Sequence, residues 1–96
     1  MLIVIAYDVN TCDAGGQRRL RQVAKHCRDY GQRVQNSVFE CLLDAAQWIK
    51  FRRELEALID PAKDSLRYYQ LGDHYQTRIQ HYGCDHSYDP NGTLMI

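Results

Sequence analysis

Asp8 closes an uninterrupted apolar run, Leu2-Ile3-Val4-Ile5-Ala6, with only Tyr7 between. A carboxylate where a buried strand leaves the core is held by a rigid element yet reaches water, a setting for divalent-metal or general-base chemistry. An aspartate that merely starts a turn would occupy the same position, so the rest of the chain must decide. A second group of interest is basic. Arg18, Arg21, Lys25 and Arg28 recur at i, i+3, i+7 and i+10, which gathers them on one side of a helix, and only Asp29 interrupts the stripe near its end. Such a stripe is either a solvated face or a phosphate contact. The third group, His81, Cys84 and His86 with His74 nearby, has metal-ligating types but lacks the paired spacing of a tetrahedral site.

The elements that must position these side chains belong to one small unit. Ninety-six residues make a single domain spanning 1–96, with a core over 1–72 and a C-terminal strand and tail over 73–96. A hydrophobic content of 45% beside 25% charged residues is ordinary for a globular domain. No apolar run approaches the roughly 20 residues that span a bilayer. The start lacks a basic region before its apolar run, so no signal peptide is expected, and the expected location is cytoplasmic. Four cysteines, Cys12, Cys27, Cys41 and Cys84, form no C-x-x-C pair and read as reduced, partly buried small hydrophobes. Twelve basic and twelve acidic residues cancel, but residues 1–39 hold six basic residues against three acids, a local balance of +3. A neutral protein with a basic half can still present a phosphate-binding surface, because salt screens charges beyond about 8 Å.

In chain order, four β-branched residues among the first nine suit a central strand covered on both faces. Asp13 is the expected cap of a first helix whose buried face carries Leu20, Val23, Ala24, Cys27 and Tyr30, and which stops at Gly31. Gln32–Gln35 and Ser37–Leu43 read as strands, with Asn36 near a tight connection or bulge. Asp44 and Gln47 have capping-box spacing at the head of a second helix. Trp48, Phe51, Leu55, Leu58 and Ile59 form its buried stripe, and Asp60-Pro61 stops it. Leu66–Leu71 is a further strand, ended by Gly72.

Strand, helix, strand, strand, helix, strand is the ferredoxin-like βαββαβ order, an α+β sandwich with both helices on one face of an antiparallel sheet. The other face invites dimerisation, with Val34, Phe39, Tyr68 or Tyr69 as apolar contacts. Thr77–Tyr82 alternates like an additional edge strand, expected to cross to the dimer partner. The end, Ser87–Ile96, is rich in turn residues and finishes apolar, so it should dock.

Several of these segments together resemble a known family. They are Tyr7-Asp8-Val9, Arg18-Arg19-Leu20, the run from Tyr30 through Arg33-Val34-Gln35-Asn36-Ser37-Val38-Phe39-Glu40 to Cys41, and Asp64-Ser65-Leu66-Arg67-Tyr68-Tyr69. The chain is similar over residues 1 to about 82 to the small CRISPR-associated endoribonucleases, the second of the two CRISPR adaptation proteins. The resemblance implies a ferredoxin-like homodimer with a divalent-metal nuclease site at its axis, and a role in spacer acquisition beside the CRISPR integrase. Asp8 matches the family's metal-binding and catalytic aspartate. Tyr7, Arg18, Arg19, Arg33, Ser37 and Phe39 match positions around the cleft that support nucleic-acid binding or the transition state.

The implied chemistry is physically sound. One carboxylate is a poor magnesium site, but a two-fold axis near the end of the first strand brings Asp8 of both chains together. Mg2+ or Mn2+ needs only one or two carboxylates besides water and substrate phosphate. Arginines would assist electrostatically, Ser37 could orient a phosphate, and Phe39 could stack on a base or pack. The substrate would be single-stranded RNA, double-stranded DNA, or both. The rival reading is a non-catalytic dimer that bridges integrase subunits and holds duplex DNA on the same arginines. A small-metabolite sensor would want a richer ligand loop than Gly15-Gly16, and an RNA-recognition domain would want an aromatic strand motif that is absent here.

Overall fold

The computed structural model describes residues 1–81 and Gly83. Its elements are β1 (Leu2–Asp8), α1 (Gly16–Tyr30), β2 (Gln32–Gln35), β3 (Val38–Leu42), α2 (Ala45–Leu58) and β4 (Ser65–Gly72), followed by a short 3-10 turn at Tyr75–Thr77. The sheet order is β2-β3-β1-β4. Central β1 runs antiparallel to both neighbours, pairing Ile5 with Phe39 on one side and with Tyr68 on the other. This is the ferredoxin-like α+β arrangement that the element order implies.

From Ile3 onward period-two alternation divides β1, while Leu2, which shares the parity of Val4 and Ala6, is buried at the start of the strand. Ile3, Ile5 and Tyr7 are buried beneath the helices, whereas Val4 and Ala6 are half-buried and Asp8 is exposed on the other face. The expectation of a strand covered on both faces therefore holds at Leu2 and, beyond it, on the helix face only. Val4 and Ala6 keep the run apolar although no helix among the described residues covers them. Beneath the helices, Val23, Ala24 and Cys27 of α1 meet Phe39 and Cys41 of β3 and Trp48, Phe51 and Leu55 of α2 in one core. Burial pushes the Cys27 and Cys41 thiols up to about 12, so both act as apolar filler.

The second helix starts as its sequence dictates. The Asp44 carboxylate accepts from the Gln47 backbone N–H at 2.7 Å, and the Gln47 side chain accepts from the Asp44 N–H at 2.9 Å. The first helix does not. Gly15, not Asp13, is its N-cap residue, and no side chain caps it. Asp13 is drawn away by two cations, accepting from Lys63 Nζ at 2.7 Å and from Arg19 Nη2 at 3.2 Å. Gly16 permits the close approach of loop and helix, since a Cβ there would sit 2.1 Å from the Asn10 carbonyl oxygen and 2.6 Å from Thr11 Cα.

Two further expectations change. Phe39 is wholly buried and Tyr68 packs under the helices, so of the four apolar contacts expected on the open face Tyr69 is the one clearly on it, 46% exposed beside Leu42 at 53%. The edge strand expected over Thr77–Tyr82 is not formed among the described residues. Thr77 ends a 3-10 turn and residues 78–81 carry no ladder, while Tyr82 lies outside the described residues. An alternating segment becomes a strand only where a neighbouring edge supplies its hydrogen bonds, and Gly72, at φ +75°, turns the chain out of β4 before it meets one. The expected crossing to a partner concerns the homodimer and not this fold. The docking expected for Ser87–Ile96 also lies outside the described residues.

Candidate functional site

The site begins at the end of β1, where consecutive residues face opposite sides of the sheet. Asp8 stands exposed on the open face, opposite Ser65 in the β1–β4 ladder. Ala6, two residues earlier, pairs with Arg67, so Ser65 and Arg67 share the face and the end of the sheet with Asp8. Among the described residues no hydrogen bond or ion pair engages the Asp8 carboxylate. Nor do the described residues hold any group of three or more metal-ligating side chains. Of the tail residues considered for a metal, His74 and His81 are exposed, and Cys84 and His86 lie outside the described residues. At this end of the sheet the chain offers one open carboxylate, Asp8, and a magnesium ion takes one or two carboxylates from protein.

Tyr7 lies on the helix side. Its ring stacks on Phe39, with centroids 6.1 Å apart, and its hydroxyl donates to the Asn36 carbonyl at 3.4 Å. Burial raises the phenol pKa, with Arg33 opposing, so the hydroxyl stays protonated and can donate but not act as a base. Phe39 has no exposed surface and carries the Arg33 guanidinium over its ring, 5.1 Å from the centroid. It packs and does not stack on a base. Ser37 is half-buried, and its carbonyl accepts from the Tyr7 backbone N–H at 3.1 Å. The sheet therefore separates Tyr7, Arg33 and Phe39 from Asp8 within one chain.

Arg19 is occupied elsewhere. Its Nε donates to Asp64 Oδ2 at 2.7 Å, and its Nη2 donates to the Asn10 carbonyl and to Asp13, each at 3.2 Å. The Asp64 side chain is fully buried and also accepts from the backbone N–H groups of Asn10 and Asp60, both at 2.9 Å. The Arg19 guanidinium, ahead of these backbone donors, holds the Asp64 carboxyl down to about 2. This cluster ties the β1–α1 loop to the α2–β4 loop and so fixes the direction in which β1 delivers Asp8. Arg19 is a positioning residue whose charge is already neutralised, and Arg18 beside it is exposed without an ion pair among the described residues. Sequence reasoning misses the part played by Asp64. Its signal is faint, an acid directly before a strand and 45 residues from its partner.

The basic stripe of α1 also divides. Lys25 is neutralised by Asp29, Nζ to Oδ2 at 3.0 Å, whereas Arg21 and Arg28 face a cavity beside the β2–β3 turn.

Comparison with known proteins places this arrangement. The family model described as CRISPR associated protein Cas2 matches residues 1–79. A CRISPR-associated endoribonuclease Cas2 of Rhodospirillum rubrum is 57% identical over 99% of this chain and 100% of its own length. A CRISPR-associated endonuclease Cas2 of Halalkalibacterium halodurans is 55% identical, with both chains covered completely. Among solved structures, Cas2 of Streptococcus pyogenes superposes with a TM-score of 0.75 at 48% identity, covering 86% of this chain and all of that one. A Thermus thermophilus protein of no stated function superposes with a TM-score of 0.71 at 33% identity, covering 88% of this chain and 92% of its own. With a family model covering most of its residues and full-length relatives above half identity, the chain belongs to the CRISPR-associated Cas2 family.

Proposed function

We propose that the protein is a metal-dependent endonuclease of a CRISPR system, hydrolysing phosphodiester bonds of RNA, DNA or both as a homodimer during spacer acquisition beside the integrase. The observation that carries this reading is Asp8, an exposed carboxylate with no partner among the described residues, held at the end of the central strand. Relatives above 50% identity bear the names endoribonuclease and endonuclease. The apolar open face bearing Val4, Ala6, Leu42 and Tyr69 supports pairing with a second copy, which would bring two Asp8 carboxylates to one axis.

In that dimer the Asp8 pair would hold Mg2+ or Mn2+, leaving positions for water and a substrate phosphate. When bound, the cation supplies Lewis acidity, acidifying a water and neutralising charge on the phosphate. The chain's own contributions are placement and charge. Asp8 is aimed by β1, whose end is fixed by the Arg19–Asp64 cluster, and Arg67 and Ser65 stand on the same face within reach of a bound phosphate.

The test incubates the protein and its Asp8→Asn variant with single-stranded RNA and with double-stranded DNA, with Mg2+ or with chelator. Cleavage should require both the metal and Asp8. Cleavage that survives the substitution would contradict the assignment.

One observation favours a second reading, a dimer that holds duplex DNA and bridges integrase subunits without cutting. Arg19 is saturated, and Tyr7, Arg33 and Phe39 lie behind the sheet from Asp8, so the arginines best placed to hold nucleic acid stand away from the carboxylate. Under that reading Asp8→Asn leaves spacer acquisition intact.

A further inference from the structure

Between α1 and the β2–β3 turn lies an open cavity of about 440 Å³, on the side of the sheet opposite Asp8. Arg21 and Arg28 enter its lining from α1 and Arg33 enters from β2, with Tyr7, Asn36 and Ser37 between them. The floor is apolar, and no acid contributes to the lining. All three arginines are exposed. Among the described residues none of the three is in an ion pair, whereas Arg19, Lys25, Arg52 and Lys63 each meet a carboxylate. Three uncompensated guanidinium groups around one concavity cost electrostatic self-repulsion. An arrangement that keeps acids away from them is suited to an anion that comes and goes.

The neighbouring groups specify the anion. Guanidinium forks match phosphate oxygens bidentately, and the Asn36 amide and the Ser37 hydroxyl add neutral donors, while the Tyr7 hydroxyl, which donates to the Asn36 carbonyl, lines the wall. None of these demands a particular base, and the aromatic rings beside the groove offer no free face: Tyr7 is buried and stacked on Phe39, which lies beneath Arg33. The chemistry is that of holding a backbone and not of reading sequence.

We propose that this groove is a metal-independent grip for the phosphodiester backbone of nucleic acid, separate from Asp8 and formed by Arg21, Arg28 and Arg33. It rests on the functional reading above only in taking nucleic acid as the ligand. Because the sheet lies between groove and carboxylate, a strand held here is held whether or not Asp8 cuts.

The test measures binding of a fluorescent duplex DNA and a single-stranded RNA of equal length to the full-length protein, in chelator and across a salt series. Arg21→Ala/Arg28→Ala is compared with wild type and with Lys50→Ala/Arg53→Ala, which removes equal charge from exposed positions of α2. Thermal melting checks the fold, which should not change because both arginines are exposed and unpaired. The groove variant should bind at least about tenfold more weakly at low salt. Its log–log salt slope should flatten by roughly 0.9 for each duplex phosphate that is no longer neutralised, or by roughly 0.7 for a single strand. Which of the two ligands shows the larger drop in affinity identifies the backbone held, and excess inorganic phosphate should compete with either. An affinity and slope equal to those of wild type, or a weakening no greater than that of the α2 variant, overturns the proposal. A protein that never cuts yet shows the slope change would retain the grip and lose only the hydrolytic reading.

Discussion

The two faces of the sheet at the end of β1 differ sharply. On the helix side Tyr7 is buried against Phe39 and hydrogen-bonded, whereas on the open side Asp8, one residue later, is exposed and unengaged among the described residues. At the margin of the covered face the Arg19–Asp64 cluster joins its polar groups to one another, while the groove arginines Arg21, Arg28 and Arg33 stand outside ion pairs among the described residues. The open face keeps a carboxylate in reserve. Stability and chemistry are thus assigned to opposite sides of one strand, and substitutions on the two sides should fail in different ways.

The largest effects should be structural and come from the covered side. Phe51 has no exposed surface and touches the ring systems of His26, Tyr30 and Trp48, so Phe51→Ala should cost about 3–5 kcal/mol in denaturant unfolding. Asp64→Ala comes next. It removes a buried carboxylate from a guanidinium and two backbone donors, and should cost about 3 kcal/mol. Because Asp64 ionises more readily in the folded chain, its contribution is complete above the ordinary value of 3.8 and vanishes as pH falls through about 2. Unfolding followed from pH 5 to pH 2 should therefore show wild type losing stability more steeply than Asp64→Asn. Equal slopes would remove the cluster from the account.

The open side should break the other way. Asp8→Asn should lower metal-dependent cleavage by about a hundredfold or more, with unfolding changed by no more than about 0.5 kcal/mol. A marked drop in stability there would mean that Asp8 belongs with the covered face. The smallest effect should come from Tyr7→Phe, which gives up one long hydrogen bond and keeps the ring stacked on Phe39, costing less than about 1 kcal/mol.

Much of this division is legible in the sequence, and the illegible parts share a cause. The order of elements, the Asp44–Gln47 capping box and the stripe of Trp48, Phe51 and Leu55 are local patterns, so a chain with no partners in view already displays them. The family resemblance rests on local segments too, and Asp8 is among them. What escapes is decided at long range. Arg18 and Arg19 are indistinguishable neighbours until Asp64 arrives from 45 residues away and takes one of them. Asp13 has the right type to cap α1, but Arg19 and Lys63 compete for the same oxygens. The alternation of β1 is hidden because Val4 and Ala6 are apolar on the face that carries no helix among the described residues. Ser65 and Arg67 join the Asp8 end of that face only through ladder register.

The central claim is that a lone acid from each of two chains makes one metal site. Titration of Mn2+ into the protein, followed by electron paramagnetic resonance, tests it without relying on catalysis. The account predicts one bound ion for every two chains in wild type and none of that class in Asp8→Asn. One ion per chain, or a stoichiometry and affinity that the substitution leaves unchanged, would contradict it.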